Sequence, residues 1–178
     1  NLEAMLRKKA EDAFELGLSY FREGDWTQAD DCFTLVRIFE TDRPRAYLAD
    51  VFVSFNREYY NRAMASLLRA LDLAKGPEDL KIDRFIERMY AGENFEAKRR
   101  EFLRTLEKVN LLATANPDAD QISILQAYFT WLNGDLATTR NALDRAAKHP
   151  AAEDLARRFG KLQVMLKEVT DNPASAPS

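Results

Sequence analysis

The sequence has one cysteine, one histidine and only six glycines and six prolines among its 178 residues. A single cysteine excludes an internal disulfide, so the fold must be held together by packing rather than by cross-links. No segment shows the alternating β-branched pattern bounded by turn residues that predicts strands. With 46% hydrophobic and 31% charged residues, the composition favours an all-α protein with few tight turns.

No apolar run approaches the roughly 20 residues of a membrane-spanning helix, and no signal-peptide pattern is present. The net charge of −3 provides no basic field, so we expect neither nucleic-acid binding nor a membrane span. The basic clusters at 7–9 and 98–100 are typical of solvated helix faces. The chain does not begin with methionine, as expected for part of a longer protein, and the compartment stays open.

Residues suited to catalysis are scarce. His149, beside Pro150, fits a helix C-terminus, and Cys32 fits a small buried position. The chain contains no phosphate-binding loop, dinucleotide fingerprint, zinc-protease motif, nucleophile elbow or Cys-x-x-Cys pair. Asp118 and Asp120 lack the glycine and closing glutamate of a calcium loop. We therefore expect no enzyme activity, no cofactor and no metal ion.

A pattern recurs along the chain at a spacing of about 34 residues. Ala29 and Ala63 are separated by that interval, and the stretches REGDWTQA, AGENFEA and LNGDLATT look like copies of one turn. The first copy reads L-G-x2-Y from Leu16 and A-x3-F from Ala29. This pattern resembles the tetratricopeptide repeat, whose W-x2-L-G-x2-Y…A-x3-F…P signature describes a helix-turn-helix unit.

The resemblance implies a right-handed solenoid of helical hairpins, with about nine helices in one domain over residues 1–170. The repeats fall at about 10–43, 44–77, 78–115 and 118–150, followed by a capping helix at 151–169. The hydrophobic periodicity predicts helices at 2–23, 26–40, 44–57, 59–74, 78–91, 94–115, 119–133, 135–148 and 151–169. The small, polar, proline-interrupted residues after Val169 predict a disordered tail over 171–178.

Gly17 needs a packing reason, because glycine inside a helix costs about 1 kcal/mol relative to alanine. We expect it to face Ala29 at a close helix crossing, with Phe33 filling the adjacent space. Gly24 should then adopt the left-handed conformation that ends the first helix, and Asp25 should cap the second. The same cap residues recur further along the chain, at Gly92 with Asn94 and at Gly134 with Asp135.

The resemblance places function on the surface, since the first helix of each pair in such solenoids lines a concave face that binds a peptide or a partner helix. The family's groove positions fall here on largely apolar side chains: Phe14, Leu18, Phe21, Arg22, Arg45, Leu48, Phe52, Phe55, Asn56, Asp83, Glu87, Tyr90, Ile124, Tyr128 and Trp131. The candidate anchors are Phe14, Phe52 and Tyr128, because each lies one position from the inward face of its helix. Phe21, Phe55 and Trp131 fit an inter-repeat core equally well.

We therefore expect a non-enzymatic adaptor that binds an apolar or amphipathic segment of an unidentified protein. The carboxylate-clamp form of the family is not matched, because Phe14 and Leu18 stand at its basic and amide positions. Two alternatives remain open. One is a chaperone of secretion-system translocators, which resembles this chain but typically has three repeats. The other is a structural protein that self-associates through its first or last helix, so the chain is expected to be a monomer or a weak homodimer.

Overall fold

The computed structural model describes residues 1–149 and 153–171, and all regular structure within them is helical. The α-helices are α1 (Leu2–Glu23), α2 (Trp26–Phe39), α3 (Arg45–Asn56), α4 (Tyr60–Leu73), α5 (Phe85–Met89), α6 (Phe95–Ala115), α7 (Asp120–Leu132), α8 (Leu136–Ala146) and α9 (Glu153–Asp171). A 3₁₀ turn spans Pro77–Leu80. The described residues include no strand, so the all-α prediction is confirmed. None of the helices described combines the length and the apolarity needed to cross a bilayer.

The chain divides into two compact units. Unit 1 comprises Asn1–Ala74 and Asp79–Phe102, which contain the hairpins α1/α2 and α3/α4, the short α5 and the first two turns of α6. Unit 2 comprises Lys75–Glu78 and Leu103–Ser178 and contains the rest of α6, the hairpin α7/α8 and α9. In unit 1, α2 also packs against α3, and in unit 2, α9 packs against α8. The hairpins are thus formed by helices that follow each other along the chain.

Eight of the nine predicted helices are present, with ends within two residues of the predicted ones. The fifth prediction, a helix over 78–91, is wrong. Its place is taken by the 3₁₀ turn and the five-residue α5, because Arg84 adopts left-handed backbone angles (φ 51°, ψ 43°) that a continuous helix cannot contain. α9 continues through Thr170 and Asp171, which had been predicted outside the helix. The predicted closing Pro150, the start of the capping helix and the tail residues 172–178 lie outside the described residues.

The predicted side-chain caps are confirmed, and so are the glycine caps at Gly24 and Gly134 (φ 77°). Gly92 is the exception, because its φ is 149° and α5 already ends at Met89. Gly24 has φ 78°, and the amide of Asp25 donates to the carbonyl oxygen of Tyr20 at 3.0 Å, as in the Schellman motif. The Asp25 carboxylate then accepts from the amide of Gln28 at 3.1 Å. Two further side chains cap in the same way: Asn94 accepts from the amide of Ala97 at 2.9 Å, and Asp135 from that of Thr138 at 3.2 Å.

Two helices, α3 and α7, are buried on all sides. Nine of the twelve residues of α3 are buried, and in α7 every residue from Ile122 to Leu132 is buried. Asp50 is the only charged residue between positions 46 and 55, and positions 121–132 contain none. A helix without a polar face is stable only where neighbours cover it completely. α3 and α7 are therefore the central helices of their units.

The close approach predicted at Gly17 exists, but a different residue makes it. A Cβ atom built on Gly17 would lie 2.7 Å from Cε1 of Phe33, and its three nearest neighbours all belong to that ring. Ala29, the expected partner, is buried without supplying any of these atoms. The Phe33 ring also contacts Phe14 at a centroid distance of 5.6 Å. Its freedom to yield to a larger residue at position 17 is therefore small.

We predict that Gly17→Ala lowers the free energy of unfolding by about 1–3 kcal/mol, because overpacking against Phe33 outweighs the gain in helix propensity. Gly160→Ala in α9 is the matched control, since a Cβ atom there would have no neighbour within 4 Å. This control should gain up to about 1 kcal/mol from helix propensity alone. Urea denaturation of both variants measures the difference. Equal gains at the two glycines would show that the Phe33 contact is not tight.

Candidate partner-binding site

The predicted groove residues are shared between the two units. Ile124, Tyr128 and Trp131 belong to unit 2, and all the others belong to unit 1. Within unit 1, the structure brings residues of α1 and α3 together with the segment that follows α4. We call residues 84–90, which comprise α5 and one residue on either side of it, the strap.

The candidate anchors are interior side chains. Phe14 and Phe52 are 0% exposed and Tyr128 is 1% exposed. The remaining apolar groove residues are buried too: Leu18, Phe21, Leu48, Phe55, Tyr90, Ile124 and Trp131. The expectation that the anchors stand open at a surface is therefore wrong. For Phe52 and Tyr128 the reason is that α3 and α7 have no solvent face, so a position beside the inward stripe is still inside.

The strap lies over the surface formed by α1 and α3. The ring centroid of Phe85 is 5.0 Å from that of Phe52 on α3. The ring of Tyr90 lies 6.1 Å from that of Phe21 on α1 and 6.5 Å from that of Phe52, both in edge-on geometry. Phe102, at the start of α6, contacts Phe85 and Tyr90 from another side, at 5.2 and 5.5 Å. On α1 and α3, the surface that the family resemblance assigns to a ligand is thus covered by aromatic side chains of the strap, one of which, Tyr90, had itself been predicted as a groove residue.

Arg88 fastens the strap to α1. Its guanidinium pairs with Glu15 and, at 3.6 Å, with Glu11. Its carbonyl oxygen accepts a hydrogen bond from Nη1 of Arg22 at 2.6 Å. The same guanidinium lies 5.2 Å from the ring centroid of Phe14 and helps to cover it. Charge-assisted bonds at a largely buried arginine contribute more to stability than the same pairs would in open solvent.

Arg45 covers Phe14 as well. Its guanidinium carbon is 4.5 Å from the ring centroid, within the range of a cation–π contact. Arg45 also pairs with Glu11 at 2.6 Å and with Glu40 at 2.7 Å. Its hydrogen bond lowers the pKa of Glu11, so this carboxylate stays charged to lower pH than an ordinary glutamate. Phe14 is therefore closed off by two arginines, and both of them pair with Glu11.

Asn56 is, with Arg45, the second polar groove residue of α3, and its side chain is bonded within its own helix. Its amide Nδ2 donates to the carbonyl oxygen of Phe52 in its own helix at 2.8 Å. This leaves Arg22, Arg45 and Asn56 with contacts inside unit 1. The predicted residues of α1 and α3 are thus brought together, but their side chains are already in contact with other parts of unit 1.

Sequence reasoning missed a buried carboxylate in unit 1. Asp50 of α3 accepts hydrogen bonds from the hydroxyl groups of Ser54 and Ser66, and from Nη2 of Arg62 at 2.9 Å. Arg62 also pairs with Asp30 of α2, so the network joins α2, α3 and α4. Asp50 is 1% exposed. Its isolation as the one charge among the apolar residues 46–55 was the available signal, since a buried charge is expected to be paired.

Gln126 has the corresponding place in unit 2. Its Nε2 donates to Oδ1 of Asn110 on α6 at 2.9 Å, and its Oε1 accepts from Arg145 on α8. On the same helix, Tyr128 stacks on Trp131 with a centroid distance of 6.1 Å. These side chains are interior, and they give unit 2 no open groove at Ile124 or Tyr128.

The residues considered for chemistry are not arranged for it. Burial raises the pKa of the Cys32 thiol, which disfavours the reactive thiolate. His149 is exposed, and it belongs to unit 2 whereas Cys32 belongs to unit 1. In the parts of the chain that the structure describes, no group of three or more His, Cys, Asp or Glu side chains could hold a metal ion.

Comparison with known proteins gives no family for this chain: no family model, no curated protein and no solved structure matches it. Its function must therefore be argued from the residues and contacts given above.

We predict that Asp50→Ala lowers the free energy of unfolding by about 2–4 kcal/mol, because two hydroxyl groups and one guanidinium lose a buried acceptor. Arg7→Ala is the control. It breaks an ion pair with Glu3 in which both side chains are more than 70% exposed, and it should cost less than about 1 kcal/mol. Chemical denaturation measures both. If Asp50→Ala costs no more than Arg7→Ala, the network does not stabilise unit 1.

Proposed function

We propose that the chain is a tetratricopeptide-like scaffold of helical hairpins that binds a peptide or partner helix on the α1/α3 surface of unit 1 and is not an enzyme. The observation that carries this proposal is the strap itself. The α1/α3 surface holds a short segment of the chain through aromatic contacts to Phe21 and Phe52 and through ion pairs to Glu11 and Glu15. A surface able to hold this segment within the chain has the groups needed to hold a similar segment of another protein.

The strap also indicates the chemistry of the partner. It presents an aromatic residue at Phe85, an arginine three positions later at Arg88 and a second aromatic residue at Tyr90. A partner segment with aromatic side chains on both sides of an arginine would match the same aromatic rings and the same two glutamates. This is an amphipathic ligand with one essential positive charge, which is more specific than the apolar or amphipathic segment expected from the sequence.

Competition with the strap accounts for the burial of Phe14 and Phe52, the two predicted anchors of unit 1. A segment tethered to its own binding surface has a high effective concentration, so it outcompetes free ligands of similar intrinsic affinity. A partner therefore binds only if its contacts exceed those of the strap, or if the strap is loosened first. Arg88 is the residue to change, because it makes the ion pairs to α1 and lies at the edge of the aromatic contacts.

We predict that Arg88→Gln increases the affinity for a fluorescein-labelled peptide of residues 82–92 by about tenfold, since one charge-assisted contact of the competing strap is lost. Fluorescence anisotropy measures the affinity. Hydrogen exchange should show faster exchange of the strap amides, and circular dichroism should show that the helices remain.

Arg84→Gln is the matched control. Arg84 pairs with Glu87 within the strap, so its loss should leave peptide affinity at the wild-type value. The same peptide with glutamine at its Arg88 position should bind the Arg88→Gln protein more weakly than the unmodified peptide does. A folded Arg88→Gln protein that binds neither peptide would refute the proposed function.

A further inference from the structure

α1 has an exposed stripe of three apolar and two charged residues, separate from the face that packs into unit 1. The packed face consists of Ala10, Phe14, Gly17, Leu18 and Phe21. The second, which we call the outer stripe, consists of Leu2, Met5, Lys9, Asp12 and Leu16, all of them exposed. Leu2, Met5 and Leu16 are 67%, 46% and 50% exposed. Glu11 and Glu15, which hold the strap and Arg45, lie outside the outer stripe.

The spacing of the outer stripe is that of a helix that packs along another helix. Its residues follow each other at alternating intervals of three and four, which are the a and d positions of a heptad repeat. The following e positions are occupied by Leu6, Ala13 and Tyr20, which are only partly buried. An a/d/e face of this kind is the pattern of a helix that buries one side against a partner.

Exposed apolar surface continues onto α2. Leu35 and Ile38 are 46% and 64% exposed, and the ring of Phe39, next to Ile38, lies 5.9 Å from the ammonium group of Lys9. The first hairpin thus carries half of the well-exposed large apolar side chains among the described residues. Exposed apolar side chains concentrated on one hairpin in this way mark a candidate interaction surface.

The charges within the outer stripe select the occupant. If two copies of α1 pack antiparallel, each a position faces a d position, so Lys9 faces Asp12 of the second copy, and Asp12 faces its Lys9. In the same register, Met5 of each copy faces Leu16 of the other copy. These two apolar contacts lie on either side of the two ion pairs. A parallel arrangement would instead place Lys9 against Lys9 and Asp12 against Asp12. The stripe is therefore complementary to itself in the antiparallel orientation.

We propose that the outer stripe of α1 is the interface of a two-fold symmetric homodimer, in which the two α1 helices pack antiparallel. Such an interface uses the same patch on both copies, as closed dimers do. The central Lys9 and Asp12 fix the register, and the leucines and methionines beside them supply the apolar burial. The dimer leaves the strap and its glutamates free, so it is a property separate from peptide binding.

Sedimentation equilibrium over a wide concentration range tests the dimer. The wild-type chain should approach twice the 20.4 kDa of one copy. Lys9→Asp and Asp12→Lys should each weaken the dimer by about tenfold or more, because each opposes like charges in the central layers. A mixture of the two variants should associate as tightly as the wild type, since each then meets its opposite charge. Misfolding of either variant cannot produce that recovery.

Leu16→Asp should also dissociate the dimer. Leu111→Asp is its control, because Leu111 is 65% exposed on α6 and lies far from α1 in sequence, and it should leave the mass unchanged. A wild-type chain that stays monomeric at every concentration would overturn the proposal. So would a dimer that persists in Lys9→Asp, or a pair of charge variants that fail to recover association when mixed.

Discussion

Complete cover of α3 is the requirement on which unit 1 depends. Residues 46–55 present apolar side chains in every direction around the helix, so any gap in the surrounding layer would expose them to water. α2 and α4 supply part of the cover, and Phe85 of the strap supplies another part by packing on Phe52. The one buried charge of α3, Asp50, is paired within this cover with Arg62. The strap therefore both covers part of the core of unit 1 and occupies its candidate binding surface.

The helical hairpins were predictable because their determinants are local. Gly24 and Asp25 act on groups within five residues along the chain, and the apolar periodicity of each helix is visible in its own sequence. The state of the candidate site was not predictable in this way. Phe14 is covered by Arg45 and Arg88, which lie 31 and 74 residues away in sequence. No local sequence pattern predicts either contact.

The break in the fifth helix illustrates the same limit. The residues from Pro77 to Tyr90 have a composition that permits a helix, but Arg84 in left-handed geometry turns Phe85 and Tyr90 towards α1 and α3. Such a conformation is unfavourable for a residue with a side chain and persists only where surrounding contacts stabilise it. The aromatic packing of the strap provides those contacts. Tertiary packing, rather than local propensity, decides the conformation of this segment.

The two central helices share a further property. Each carries a buried polar side chain that bonds to neighbouring helices: Asp50 of α3 bonds to α4, and Gln126 of α7 bonds to α6 and α8. A shift of a purely apolar helix along its axis breaks no hydrogen bond. The same shift of a helix with a buried carboxylate or amide separates that group from its partners, which is unfavourable in a low-dielectric interior. In both units such buried polar contacts thus give a largely apolar helix a defined register. The apolar residues supply the stability, and the polar ones supply the alignment.

The ion pair between Arg88 and Glu15 joins residues that are 73 positions apart. On the ribosome, α1 to α4 are synthesised before Arg88, and each of their hairpins can form from neighbouring residues alone. For a few seconds at ordinary rates of translation, the nascent chain therefore contains Phe14, Phe21 and Phe52 without the segment that closes over them. During that interval the growing polypeptide displays an aromatic surface to the chaperones at the tunnel exit, and the arrival of residues 85–90 ends that display.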